Sequence, residues 1–120
     1  MHKPAHILLV EDDEQVRVLV EDVLRDAGYQ VSAATDVATA LTLLERDTYD
    51  LLLTDGRLPD GSGFTIARIA AERDIKVLVY TGYGMEFSDE ERARYPVLAK
   101  PVRVSELLLV VGHFLGKKPY

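Results

Sequence analysis

The sequence predicts an α/β protein in which an open parallel sheet is covered by helices on both faces. Strand-like and helix-like segments alternate about five times along the 120 residues, without an internal repeat or a linker. The length is typical of one domain, so we expect residues 1–120 to form a single domain around one core. A composition of 48% hydrophobic and 28% charged residues is that of an ordinary globular protein.

The predicted strands are short, continuous apolar runs, as expected for a parallel sheet that is buried on both faces. They cover residues 7–10, 29–33, 51–54, 76–81 and 97–99. Apolar residues recur at helical spacing in four other segments, which predict helices. Two of these segments are residues 14–27 and 104–115. The other two begin after a cap at Thr35 or Asp36 and after the Gly- and Pro-rich loop 56–63. Gly28 follows the first helix, at the position where a left-handed residue commonly ends one.

The segment 84–96 has the least regular pattern. It offers few apolar anchors, although Ser88 and Glu91 have the spacing of a capping box. We therefore expect the fourth helix to be short or mobile.

The totals exclude several classes of function. Without cysteine, the chain has no disulfides and no thiolate metal sites. No apolar run approaches the ~20 residues of a membrane-spanning helix, and the first residues lack the apolar segment of a signal peptide, so we expect a cytoplasmic protein without a membrane partner. The net charge of −6 opposes direct binding to nucleic acid.

The residues at the ends of the predicted strands belong together chemically. Glu11 and Asp12 follow the first strand and Asp55 follows the third, while Thr81 ends the fourth and Lys100 follows the fifth. In open parallel sheets, reactive groups gather at this carboxyl edge. Clustered carboxylates repel one another unless a cation compensates them, and Mg²⁺ suits an acidic cluster without His or Cys. With an ammonium and a hydroxyl added, the set predicts a site for a phosphoryl group.

Each of these features alone has a simpler explanation. An acidic run at the start of a helix can interact favourably with the positive end of the helix dipole. An Asp before Gly is commonly a turn residue, and a Thr at the end of a strand is a good β-former. The prediction depends on their joint occurrence at one edge of the sheet.

At these residues the sequence resembles the response-regulator receiver domains of two-component signalling, over essentially the whole chain. The matching segments are Ile-Leu-Leu-Val-Glu-Asp-Asp-Glu at 7–14, Leu-Leu-Leu-Thr-Asp-Gly-Arg-Leu-Pro at 51–59 with Gly63, Val-Tyr-Thr-Gly at 79–82 and Leu-Ala-Lys-Pro at 98–101. The resemblance implies a flavodoxin-like (βα)5 fold with strand order 2-1-3-4-5.

The resemblance also implies roles for the polar residues. Asp55 would accept a phosphoryl group from a histidine kinase or a histidine phosphotransfer protein, Lys100 would contact that group, and Thr81 would be the switch hydroxyl. No separate substrate turnover is expected, and the sequence does not identify a downstream partner.

The resemblance further implies a Mg²⁺ site. Asp12 would bind the ion directly, Glu11 mainly through water, and Asp55 and the backbone carbonyl of Arg57 would complete the protein ligands. Asp13 fits better as the next loop residue, although a shift of one place stays open.

One position departs from the family pattern. Many receivers have an aromatic residue three positions before the lysine, whereas this chain has Val97. Tyr95, two residues earlier, is a candidate to replace it. Tyr83, two residues after Thr81, is another candidate, which could lie over the active site and limit attack by water. The segment 79–84 is also similar to the Phe-Ala-Thr-Gly motif of an atypical receiver subgroup without the aromatic switch.

Three other functions compete with phosphoacceptance. A receiver-like interaction module could bind metal without being phosphorylated. An aspartyl phosphohydrolase would need an Asp-x-Asp arrangement, whereas Glu14 stands two residues after Asp12. A flavin-binding module would need a phosphate-binding loop after the first strand, which the sequence lacks.

Overall fold

The structure is a computed structural model that describes residues 3–82 and 88–116. The strands are β1 (His6–Val10), β2 (Gln30–Ala34), β3 (Leu51–Asp55), β4 (Arg57–Leu58), β5 (Gly61–Ser62), β6 (Lys76–Thr81) and β7 (Val97–Ala99). The helices are α1 (Glu14–Asp26), α2 (Val37–Arg46), α3 (Gly63–Glu72), α4 (Asp89–Arg94) and α5 (Val104–Leu115). These bounds agree with the predicted elements to within a residue or two.

Five of the strands form one parallel sheet in the order β2-β1-β3-β6-β7. The predicted order 2-1-3-4-5 is therefore confirmed, because β6 and β7 are the fourth and fifth strands of this sheet. The two remaining strands, β4 and β5, pair as a separate two-residue antiparallel ribbon inside the predicted loop 56–63.

The sheet has a hydrophobic cluster on each face, as its continuous apolar strands predict. Alternate side chains of β1 point to opposite faces, so Leu8 and Val10 belong to one cluster and Ile7 and Leu9 to the other. Helices α2 and α3 cover the first cluster, and α1 and α5 cover the second. The polar residues of the predicted site lie at the carboxyl ends of these strands or directly after them.

Helix ends near this edge are closed by side chains. Asp13 caps α1 by accepting a hydrogen bond from the backbone N–H of Val16 at 3.1 Å, and Asp36 caps α2 through the N–H of Thr39 at 2.7 Å. Of the two caps left open for α2, the structure selects Asp36. Gly28 has a φ of +97°, which confirms the left-handed end expected after α1.

Helix α4 has only six residues, and none of them is buried. The predicted capping box is present, with Ser88 and Glu91 each bonded to the other's backbone N–H. The expectation of a short fourth helix is confirmed, while its mobility stays a prediction. The part of segment 84–96 that covers residues 84–87 lies outside the described residues.

Candidate functional site

Three carboxylates meet at the carboxyl edge of the sheet. Glu11 and Asp12 follow β1 directly, and Asp55 is the last residue of the neighbouring strand β3. One carboxylate oxygen from each lies within 4.8 Å of the others. Glu11 is fully buried and Asp55 is 7% exposed, whereas Asp12 is exposed to solvent. Asp13 caps α1, and the three acids that lie together are Glu11, Asp12 and Asp55.

Lys100 joins two of these acids. Its Nζ lies 2.7 Å from Oδ2 of Asp55 and 3.0 Å from Oε1 of Glu11. The backbone directs it there, because β7 pairs with β6 and the N–H of Lys100 donates to the carbonyl of Thr81 at 2.8 Å. The peptide bond from Lys100 to Pro101 is cis. One ammonium therefore contacts two of the three clustered carboxylates, and the site keeps an excess of negative charge.

The buried carboxylate of Glu11 has a partner for each oxygen. Its Oε2 accepts a hydrogen bond from the N–H of Asp13 at 3.1 Å. Its Oε1 accepts one from the Tyr80 hydroxyl at 3.0 Å in addition to that from Lys100. The sequence reasoning did not find Tyr80. A signal was available, because a buried tyrosine near the end of a strand needs a partner for its hydroxyl.

Burial and charge act in opposite directions on these groups. Burial raises the pKa of Glu11, and the hydrogen bonds from the Asp13 N–H and from Lys100 oppose that shift only in part. For Lys100, burial acts to lower the pKa, but the hydrogen bonds and negative charges of Asp55 and Glu11 outweigh it and the pKa is raised. The pKa of Tyr80 is raised by burial and by the neighbouring Glu11. Lys100 is therefore held in its charged form.

The backbone of Asp55 is fixed by close packing against the start of α3. A Cβ at Gly63 would lie 1.9 Å from the Asp55 carbonyl oxygen and 2.9 Å from Oγ1 of Thr54. Thr54 donates a hydrogen bond to the same carbonyl at 2.9 Å. Only glycine permits this approach, which explains the glycine in the motif at this position.

The loop after Asp55 is anchored by a residue that the sequence reasoning missed. The Asp60 carboxylate accepts hydrogen bonds from the N–H groups of Val37 and Ala38 at 2.7 and 3.0 Å, at the N-terminus of α2. The backbone N–H of Arg57 donates to Oδ1 of Asp55 at 3.1 Å. The loop is thus tied to α2 at one end and to the carboxylate at the other.

The site opens to solvent through a cleft of about 410 Å³. Thr81, the last residue of β6, is one of the residues that line this cleft and is 4% exposed. The structure thus brings all six predicted site residues to one place, since Glu11 lies beneath the cleft and the others line it. The lining residues are Asp12, Asp55, Arg57, Leu58, Pro59, Thr81, Gly82 and Lys100.

The donor set fits a hard divalent cation. Opposite ligands of Mg²⁺ are about 4 Å apart, which is compatible with carboxylate oxygens that lie within 4.8 Å of one another. The exposed Asp12 leaves room on the solvent side for the water ligands that Mg²⁺ retains. Within residues 3–82 and 88–116, this is the one group of three or more such side chains close enough to share a metal.

Of the two tyrosines considered because Val97 replaces the usual aromatic residue, only Tyr95 lies within the described residues. Tyr95 follows α4 and packs against Phe64 with ring centroids 6.0 Å apart, so it is buried on the α3 side of the sheet and does not line the cleft. Tyr83 lies outside the described residues. Val97 packs against the same cluster as Tyr95.

The chain is similar to known proteins over nearly its full length. The family described as the response regulator receiver domain matches residues 7–111. The response regulator receiver protein CpdR of Brucella abortus is 35% identical over 85% of this chain and 89% of its own. The polar-differentiation response regulator DivK of Brucella anthropi is 29% identical over 94% of this chain and 98% of its own.

Among solved structures, the receiver domain of the sensor histidine kinase PA1611 from Pseudomonas aeruginosa is 30% identical. It superimposes with a TM-score of 0.82 over 96% of this chain and 100% of its own. That structure has a magnesium ion coordinated in its active-site cleft. None of the helices described within residues 3–116 is long and apolar enough to cross a bilayer. The match over most of the chain, the shared fold and the acidic site together make this protein a member of the response regulator receiver domain family.

Proposed function

We propose that residues 1–120 form a single receiver domain that accepts a phosphoryl group on Asp55 in two-component signalling. The observation that carries the proposal is the position of Lys100, whose Nζ joins Asp55 to Glu11 at 2.7 and 3.0 Å at the wall of a cleft of about 410 Å³. A cation held against a nearly buried carboxylate at the rim of such a cleft is suited to an incoming anionic group.

The metal of this site is proposed to be Mg²⁺. Asp12 and Asp55 would bind it directly, Glu11 mainly through water, and Arg57 through its backbone carbonyl. When bound, Mg²⁺ would offset negative charge on the transferred oxygens. The magnesium ion in the cleft of the related PA1611 receiver supports this assignment.

The chain's own residues then carry the transfer. A carboxylate oxygen of Asp55 forms a bond to phosphorus as the bond between phosphorus and the donor atom breaks, and the leaving group departs with the electron pair. The Lys100 ammonium, already 2.7 Å from Asp55, donates to an oxygen of the transferred group. The hydroxyl of Thr81, which lines the same cleft, donates to another of these oxygens. Because the site mainly positions and neutralises charge, no separate substrate turnover is expected.

The proposed partner on the input side is a histidine kinase or a histidine phosphotransfer protein, and the proposed location is the cytoplasm. Phosphorylation adds roughly −1.5 to −2 charge, which draws Thr81 and Lys100 toward the new oxygens. Thr81 ends β6 and Lys100 directly follows β7, so the surface around these strands and α5 is proposed to contact a downstream protein. We expect no direct contact with nucleic acid or membrane.

The test is incubation with Mg²⁺ and a small phosphodonor, followed by intact-mass measurement. We expect the mass of one added phosphoryl group in the wild-type protein and none in Asp55→Asn, which keeps the shape of the side chain. If the wild-type protein gains no more phosphoryl mass than Asp55→Asn does, phosphoacceptance at Asp55 is wrong and a metal-binding interaction module becomes the better description.

A further inference from the structure

Tyr80 contacts both the Glu11 carboxylate and the Lys100 ammonium of the site. Its side chain is 4% exposed and packs in the cluster covered by α1 and α5. Its hydroxyl donates to Oε1 of Glu11 at 3.0 Å, and the Nζ of Lys100 lies 4.9 Å from its ring centroid. Tyr80 therefore binds the carboxylate through its hydroxyl and contacts the ammonium through its ring, although it does not line the cleft that Asp12 and Asp55 line.

The hydroxyl matters because Glu11 is fully buried and shares Lys100 with Asp55. When Lys100 turns toward an incoming phosphoryl group, Glu11 loses part of that contact. The Tyr80 hydroxyl and the Asp13 N–H are then the donors that keep its two oxygens in place. A buried carboxylate without enough donors would rotate or take up a proton.

The ring matters for the direction of the ammonium. A lysine side chain has many rotamers and needs contacts that favour one of them. An aromatic ring within about 6 Å of an ammonium attracts it. Here the ring lies on the side of Lys100 that faces α1 and α5, while the carboxylates of Asp55 and Glu11 accept its hydrogen bonds.

We propose that Tyr80 is a positioning residue of the phosphoryl-transfer site: its hydroxyl orients Glu11 for the divalent cation, and its ring keeps Lys100 directed at Asp55. This inference rests on the proposed function. It separates the two parts of the side chain, so each part has its own test.

The hydroxyl is tested with Tyr80→Phe, which keeps the ring. We expect Mg²⁺ binding to the unphosphorylated protein, measured by titration calorimetry, to weaken roughly 10-fold, because loss of a hydrogen-bond partner of a metal ligand typically costs this much affinity. At saturating Mg²⁺ the rate of phosphorylation by a small phosphodonor should return to the wild-type value. Tyr49→Phe is the matched control, since Tyr49 is a buried tyrosine beside His6 at the opposite edge of the sheet.

The ring is tested with Tyr80→Leu, which removes both contacts. Mg²⁺ affinity should fall as in Tyr80→Phe, and the rate at saturating Mg²⁺ should now fall also, by about 2- to 5-fold for a lost cation–π contact. A merely structural role would not separate the two variants in this way. If Tyr80→Leu does not fold, judged by circular dichroism, the hydroxyl half of the proposal is decided by Tyr80→Phe, and Tyr80→Met is measured for the ring.

The outcomes separate this inference from the proposed function. Wild-type protein that binds no Mg²⁺ and gains no phosphoryl group would overturn both. Wild-type protein that does both, with a Mg²⁺ affinity unchanged in Tyr80→Phe, would overturn the role of the hydroxyl alone. Equal rates for Tyr80→Phe and the ring-deleted variant at saturating Mg²⁺ would overturn the role of the ring.

Discussion

The ammonium of Lys100 lies 2.7 Å from the Asp55 carboxylate, across 45 residues of sequence. This contact neutralises part of the acidic cluster at the point where we propose that a phosphoryl group is received. It also links the ends of β3 and β7, which are separated in the sheet by β6.

Replacing the lysine tests its part in the transfer. Lys100→Met keeps most of the chain length and removes the charge. We expect phosphorylation by a small donor at saturating Mg²⁺ to slow about 100-fold, the usual cost of removing one donor to developing negative charge. The initial rate is followed by intact mass.

A second lysine provides the control for that experiment. Lys76 begins β6 at the opposite edge of the sheet, so Lys76→Met should keep the wild-type rate. Similar slowing in both variants would mean that general charge or stability, and not the contact with Asp55, sets the rate.

The close approach at Gly63 predicts a large loss of stability in Gly63→Ala. The new methyl group would meet the Asp55 carbonyl at 1.9 Å, so the backbone must move. We expect the free energy of unfolding to fall by roughly 1–3 kcal/mol or more, measured by urea denaturation. In Gly82→Ala the added methyl group meets nothing within 4 Å, so this control should be close to wild type. Equal stability of the two variants would contradict the packing described here.

The raised pKa of Glu11 predicts that Mg²⁺ affinity depends on pH. A raised pKa means that Glu11 holds its proton at pH values above its ordinary value of 4.5, and the protonated carboxyl has no charge to offer a cation. Mg²⁺ affinity should therefore fall as the pH falls through this raised pKa, before an ordinary glutamate would be protonated. Titration calorimetry at several pH values checks this.

The glutamine variant isolates Glu11 in that experiment. Glu11→Gln should bind Mg²⁺ more weakly at neutral pH but with a flatter pH profile. A wild-type affinity that stays constant down to pH 4.5 would show that Glu11 does not control the dependence.

Helix α4 predicts a region of low local stability. It has six residues, a capping box and no buried side chain, so few contacts oppose its opening. We expect its amides to exchange with solvent much faster than those of the flanking strands β6 and β7, measured by hydrogen–deuterium exchange at the level of single residues. Protection in α4 equal to that of β6 would contradict this expectation.

Much of this structure could be predicted from local patterns. The continuous apolar runs in β1 and β3 predict strands buried on both faces, and alternation with helices restricts such strands to a parallel sheet. The polar residues at the strand ends then follow from topology, because parallel strands bring their carboxyl ends to one edge. For this reason the sequence located Asp55, Lys100 and the acidic pair Glu11 and Asp12 without coordinates.

Some local features were less certain for physical reasons. Thr35 and Asp36 can both cap a helix, and only the backbone conformation selects Asp36. The ribbon of β4 and β5 has two residues in each strand, too few to produce a periodic pattern. Asp60 was missed because the N–H of Val37, to which it binds, lies 23 residues earlier in the chain.

The fold, the family and the set of charged residues at the carboxyl edge could be predicted from the sequence, because they depend on periodicity and on short motifs. How the charges are shared is visible only in the folded chain: Lys100 joins Asp55 to Glu11, and Tyr80 contacts both Glu11 and Lys100. The hydrogen bond between Tyr80 and Glu11 joins residues 69 positions apart in the chain. It depends on how the side chains at the ends of β1 and β6, which are separated by β3, are oriented. Packing on both faces of the sheet sets that geometry, and no local pattern in the chain encodes it.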